Sequence, residues 1–287
     1  MGGNAALDIN PPTADIHISR AGSDWLWSVF CVMAASLLTV IAFDILRPRG
    51  TRLFHQLGII ILTTASLAYF TMASDLGAAP VPVEFRDVGQ TRQVFYARYI
   101  QWFITFPLVL LQLLLFSGLT IADIITTLYF AGVAVIMGLA GSVVQSTYKW
   151  GYYTIGVVSL IYVWYVLLWH APRTTFPANG VLHSGYYLLA AYLTLILFTY
   201  PICWACSEGG NVIHPTSEMI WYGVLDILAG PVFIFIVLYN IYGVDYDIFD
   251  FASGKYTDTR RGATQPTGPA TTEKGPRPTT EAPAQQT

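Results

Sequence analysis

Seven stretches of this chain stay apolar over the length needed to cross a bilayer, and that count limits the fold more than any other feature. They run near Trp25–Leu46, Leu53–Ser74, Val94–Phe116, Thr120–Val143, Tyr148–His170, Leu182–Cys206 and Ser217–Tyr242. Only 11% of the 287 residues are charged, against roughly 25% in soluble domains, and the mean hydropathy is +0.53. Lipid cannot satisfy exposed backbone groups, so segments of this kind cross as helices. The expected fold is an all-α membrane protein, a seven-transmembrane-helix bundle over residues 23–243. A polar segment, 1–22, precedes it, and a Thr/Pro-rich segment, 244–287, follows.

The first 24 residues hold Pro11-Pro12 and no signal-peptide core, so the first span is expected to act as its own insertion signal. Arg47, Arg49 and Arg52 follow the first span, Arg173 follows the fifth, and Lys255, Arg260, Arg261, Lys274 and Arg277 lie in the tail. All fall on one side of the bundle. The other side carries Arg20, Arg86, Arg92 and Lys149, partly offset by Asp75, Glu84 and Asp87. This bias places the N-terminus outside and the C-terminus in the cytoplasm. From Ser253 onward the tail has almost no large apolar residues and is expected to be disordered. The net charge of −3 offers no polybasic field for nucleic acid.

The longest connection, Asp75–Gln93, contains Pro80, Pro82 and Gly89 and an alternation of Val81, Val83 and Phe85, which predicts a small hairpin. Cys203 and Cys206 have CxxC spacing, but no second pair completes a zinc site, and with Cys31 they read as small apolar residues of helices. There is no nucleophile–base pair and no phosphate loop. The glycine-rich piece Ser207–Asn211 follows a helix and precedes a loop, the wrong context for phosphate. An enzyme is not expected, nor a metal.

Charge inside the spans is where function is expected. On the third span Arg98, Gln101, Thr105 and Gln112 recur at steps of three, four and seven, which puts them on one face. On the seventh, Glu218, Tyr222, Asp226 and Gly230 recur every four residues. Both faces must point inward, and Arg98 with Asp226, directly or through water, is the expected pairing, either as a structural ion pair or as part of a site. Trp102, Tyr200 and Trp204 are candidates to line a cavity beside them; His183 and His214 are expected at the surface. Pro231, with Gly230 before it, removes a backbone hydrogen bond and should loosen the seventh helix there.

At these residues the chain resembles the microbial rhodopsins, especially the fungal opsins. The resemblance is carried by Ala97-Arg98-Tyr99-Ile100-Gln101-Trp102-Phe103-Ile104-Thr105-Phe106-Pro107-Leu108 on the third span. Tyr200-Pro201-Ile202-Cys203-Trp204, Ser207-Glu208-Gly209-Gly210-Asn211 and Val224-Leu225-Asp226 extend it. It implies a fold that binds retinal as a Schiff base to a seventh-helix lysine four residues after the aspartate. That position here is Gly230. The counter-ion and proton-donor positions on the third helix are Gln101 and Gln112. Arg98, Thr105, Asp226 and Tyr200 are retained, as are the outer carboxylates Glu208 and Glu218, which resemble a proton-release group. Of the positions that bracket retinal, the sixth-helix one is Leu197 and a fifth-helix one is Tyr153.

Loss of the lysine together with one aspartate keeps the inner site neutral, with Arg98 against Asp226, whereas losing the lysine alone would strand a buried charge. The resemblance is closest to the lysine-less, heat-shock-type opsin relatives of fungi. It implies a non-pumping stress regulator or scaffold of the plasma membrane, without covalent cofactor. Its implied partners are the lipid bilayer, a second copy of the chain and a membrane protein such as the proton-exporting ATPase. The alternative is a sensor that binds retinal or another apolar ligand non-covalently in a pocket of Trp102, Tyr153, Leu197, Tyr200, Trp204 and Gly230. A light-driven pump or channel through Glu208, Glu218, Asp226 and Arg98 is the third reading, and it lacks titratable groups at Gln101 and Gln112.

Overall fold

A computed structural model describes residues 4–48, 51–173, 180–242 and 244. The chain begins with a short helix, α1 (Ala6–Ile9), and continues through α2 (Arg20–Leu46) and α3 (Leu53–Ala73) to a two-stranded hairpin. The hairpin pairs β1 (Ala79–Pro82) with β2 (Thr91–Val94). Helices α4 (Tyr96–Leu114), α5 (Ile121–Val143), α6 (Lys149–Tyr165), α7 (Gly180–Trp204), α8 (Pro215–Ile227) and α9 (Phe233–Asn240) follow. Short π turns extend α6 and α7 and join α8 to α9. Among the described residues, seven helical runs are thereby long and apolar enough to cross a membrane, at the expected places. The disordered tail expected from Ser253, and most of segment 244–287, fall outside the described residues.

Local chemistry sets the boundaries. The Ser19 hydroxyl accepts from the Gly22 N–H to start α2, and Thr120 does the same for Asp123 at α5. Pro215 occupies the first turn of α8, where its missing N–H costs nothing. Pro231 lies inside the π turn Leu228–Val232, so the loosening expected at that proline takes the form of a widened turn.

The hairpin is antiparallel, with Val81 opposite Arg92. Its second arm is Thr91–Val94, and the first strand ends at Pro82, before Val83 and Phe85 of the expected alternation. The N-terminal segment packs against it: Ile16 bridges to Arg92, and the Ile18 N–H donates to the Gln93 side chain at 3.0 Å. Outward-facing Leu38, Leu67, Ile125 and Leu195 are exposed, as a lipid-facing surface requires. Inside, helices meet closely where glycine permits. A Cβ on Gly223 would lie 2.5 Å from Trp25 Nε1, whose N–H holds the Met219 carbonyl at 3.1 Å and ties α2 to α8.

Candidate functional site

The polar residues on the third and seventh spans do face inward. Arg98, Gln101, Thr105, Gln112, Glu218, Tyr222 and Asp226 are all buried. They form two separate groups.

One group, outer in the sense that it lies at the hairpin end of the bundle, is built on Glu218, which is fully buried and takes two guanidiniums. Arg98 Nη1 donates to Glu218 Oε1 at 3.1 Å, and Arg92 Nη2 donates to Oε2 at 2.6 Å. Arg92 also holds the Asn211 side chain at 2.6 Å and the Ile213 carbonyl at 2.8 Å, closing the loop before α8. The Arg98 guanidinium lies over the Tyr222 ring, 4.6 Å from its centroid. Glu208 accepts from Tyr99 at 2.9 Å and from Ser207 at 2.6 Å. The expected direct pairing of Arg98 with Asp226 is therefore corrected. Arg98 sits at the outer end of α4 and reaches Glu218, which precedes Asp226 by about 12 Å of helix at 1.5 Å per residue.

The inner group is built on Asp226, and it is neutral apart from that carboxylate. Tyr69 and Gln101 donate to Oδ2 at 2.6 and 3.2 Å; Tyr200 and Trp102 donate to Oδ1 at 2.6 and 3.0 Å. Four donors fill the sites a carboxylate offers. The tally that balanced Arg98 against Asp226 omitted Arg92 and Tyr69, two residues the sequence reading did not select as partners.

Asp226 lines a cavity of about 130 Å³ to which all seven spans contribute. Its walls include Met33, Thr105, Tyr153, Leu197, Trp204 and Gly230 with Trp102 and Tyr200, so the whole expected pocket comes together. Trp204 stacks on Tyr153 with centroids 5.2 Å apart and donates to the Gly138 carbonyl at 3.1 Å. Trp102 meets Tyr200 edge-on at 5.2 Å. Gln112 lies away from this cavity: its amide donates to the Phe54 carbonyl at 2.9 Å and ties α4 to α3. Glu208 and Glu218 do not line it either.

His183 and His214 are exposed, and the three cysteines are free. Among the described residues no cluster of ligand-type side chains could hold a metal.

Residues 20–244 match the family model described as Bacteriorhodopsin-like protein. The chain belongs to the bacteriorhodopsin-like family. Among its relatives, it is 62% identical to Protein FDD123 of Trametes versicolor, over 95% of this chain and 98% of that protein. It is 36% identical to the 30 kDa heat shock protein of Saccharomyces cerevisiae, over 80% of this chain and 76% of that one. The crystal structure of the light-driven proton pump Coccomyxa subellipsoidea Rhodopsin CsR is similar at a TM-score of 0.75 and 33% identity, covering 78% of this chain and 98% of that one. This bacteriorhodopsin-like bundle is thus shared by pumping rhodopsins and by a protein named for heat shock.

Proposed function

We propose that this bacteriorhodopsin-like chain performs no covalent photochemistry and acts as a stress-related regulator or scaffold in the plasma membrane, N-terminus outside and C-terminus in the cytoplasm. The observation that carries the reading is Gly230 on the cavity wall, with no lysine able to take its place. Of the three lysines in the sequence, Lys255 and Lys274 belong to the tail. Lys149 is buried at the outer end, 3.7 Å from Glu84 and 3.5 Å from the Glu208 carbonyl. Gln101 and Gln112 cannot exchange protons at physiological pH, so a pumping route has neither acceptor nor donor. The reading includes a membrane-protein partner of the proton-ATPase kind, which the chain would restrain under stress, and no catalytic activity of its own.

Vesicles carrying the protein and all-trans retinal should show no pH change on illumination. A light-driven change abolished by Asp226→Asn would overturn the reading. A second reading, non-covalent binding of an apolar ligand, is favoured by one observation: the cavity persists, walled by aromatic residues, although the lysine position is a glycine.

A further inference from the structure

Away from the cavity at Asp226, an open groove of about 570 Å³ lies between α1, the start of α2 and the residue that follows α3. That volume is within the roughly 300–1,000 Å³ of small-molecule sites. Asn4, Asn10, Asp24 and Ser74 are its polar walls, and Ile9 and Trp27 are apolar ones. Helix α2 begins four residues before Asp24, and α3 ends one residue before Ser74. The groove therefore sits where two spans leave the bilayer, at the hairpin end of the bundle.

Its charge is one-sided. Asp24 is exposed, and among the described residues the walls of the groove hold no cation. Asn4 donates to Asp24 Oδ1 at 3.0 Å, a neutral donor that leaves the negative charge in place. Arg20, one turn earlier on the same face of α2, is already occupied: its Nη2 donates to both oxygens of Asp8, at 2.7 and 2.9 Å. Asp8, Arg20 and Asp24 together carry a charge of −1.

The groove also continues into the apolar zone. Trp27 meets Phe30 and Phe70 edge-on, with centroids 5.7 and 5.5 Å away. Phe70 and Leu67, one turn deeper on α3, are both exposed. From Asp24 to Phe30 is ~9 Å of helix at 1.5 Å per residue. One molecule covering this strip has its charge at the interface and its apolar part in the bilayer.

We propose that the groove holds an ammonium-bearing phospholipid of the phosphatidylcholine kind, its head group against Asp24 and Trp27 and its acyl chains over Phe30, Phe70 and Leu67. The carboxylate attracts the ammonium, and indole is the side-chain ring that attracts quaternary ammonium best. A head group with negative charge alone is repelled by Asp24. A sterol hydroxyl brings no charge to offset it, and a soluble amine leaves the aromatic strip uncovered.

The test titrates the full chain in non-ionic detergent with dioleoylphosphatidylcholine or dioleoylphosphatidylglycerol, read by native mass spectrometry, with the unfolding temperature as a second readout. The two lipids share phosphate and chains, so their difference is the ammonium. The choline lipid should be retained about two- to fivefold better, the range that an exposed charge pair allows. Asp24→Asn keeps an acceptor for Asn4 and should remove that preference. Asp87→Asn, at an exposed carboxylate of the hairpin loop, should leave it intact. Phe70→Ala should weaken both lipids alike while the protein still unfolds cooperatively. Equal retention of the two lipids, a preference that survives Asp24→Asn or falls as far in Asp87→Asn, or lipid binding untouched by Phe70→Ala would each overturn the proposal. So would displacement of the choline lipid by cholesterol.

Discussion

The Arg98 guanidinium bonds Glu218 at 3.1 Å, about two turns of α8 from Asp226. The arginine that helix-face spacing set against Asp226 belongs instead to a fully buried cluster with Arg92. Asp226 keeps four neutral donors and a place on the cavity wall. The two anions thus differ: Glu218 holds the outer end together, and Asp226 gives the cavity its polarity.

Glu218→Gln should be severely destabilising. It leaves Arg92 and Arg98 buried without a counter-charge, and breaking a buried pair costs ~3–5 kcal/mol. Arg20→Ala removes an exposed pair with Asp8 at 2.7 Å and should cost no more than ~1 kcal/mol. Unfolding of both variants in the same detergent gives the comparison; equal costs would mean that the outer cluster is not what holds α4 to α8.

Tyr200→Phe removes one of the four bonds to Asp226 and leaves the ring. A hydrogen bond to a charged group contributes ~1.5–3 kcal/mol, so stability should fall by an amount in that range. An unchanged unfolding midpoint would mean that Asp226 is satisfied without Tyr200.

Two glycines on the same span should answer oppositely to alanine. At Gly223 the new Cβ would lie 2.5 Å from Trp25 Nε1 and 3.2 Å from Val29, and overpacking of this kind costs ~1–3 kcal/mol. At Gly230 it meets only ordinary contact with Met33, and removing a helical glycine is worth up to ~1 kcal/mol. Thermal melts of the two single variants decide it.

Asp75 supplies a pH dependence outside the spans. Burial raises its carboxyl above the ordinary 3.8, against the opposing bond from Gln93 and the opposing charge of His17. Because the folded state binds this proton more tightly than the unfolded state, stability falls as pH rises from the ordinary value through the raised one, and the loss is complete above it. Asp75→Asn should remove that loss and stabilise the protein at neutral pH, the more readily because residue 75 has φ +57°, which asparagine tolerates. Unfolding midpoints of both forms between acid and neutral pH should converge at low pH.

The spans, their inward faces and the cavity aromatics were legible because each is a property of one helix: an apolar length or a stride of three and four. Partner choice was not. Which residue Arg98 reaches depends on the vertical register between α4 and α8, and periodicity within either helix carries no information about that. Arg92 read as an outer-side loop charge, although its place opposite Val81 on a packed hairpin buries it. Tyr69 was hidden in an otherwise apolar run; its spacing of four and eight from Ala65 and Ile61, both on the cavity wall, is the signal that pointed inward.

The most direct test is an absorption spectrum of the purified protein after incubation with all-trans retinal, beside a Gly230→Lys, Gln101→Asp double variant. The variant restores a tether around which the walls can repack, and it adds a cation and an anion together, so the site keeps its charge. The account predicts no visible band from the natural chain and a red-shifted band from the variant. A saturable visible band from the natural chain would contradict it.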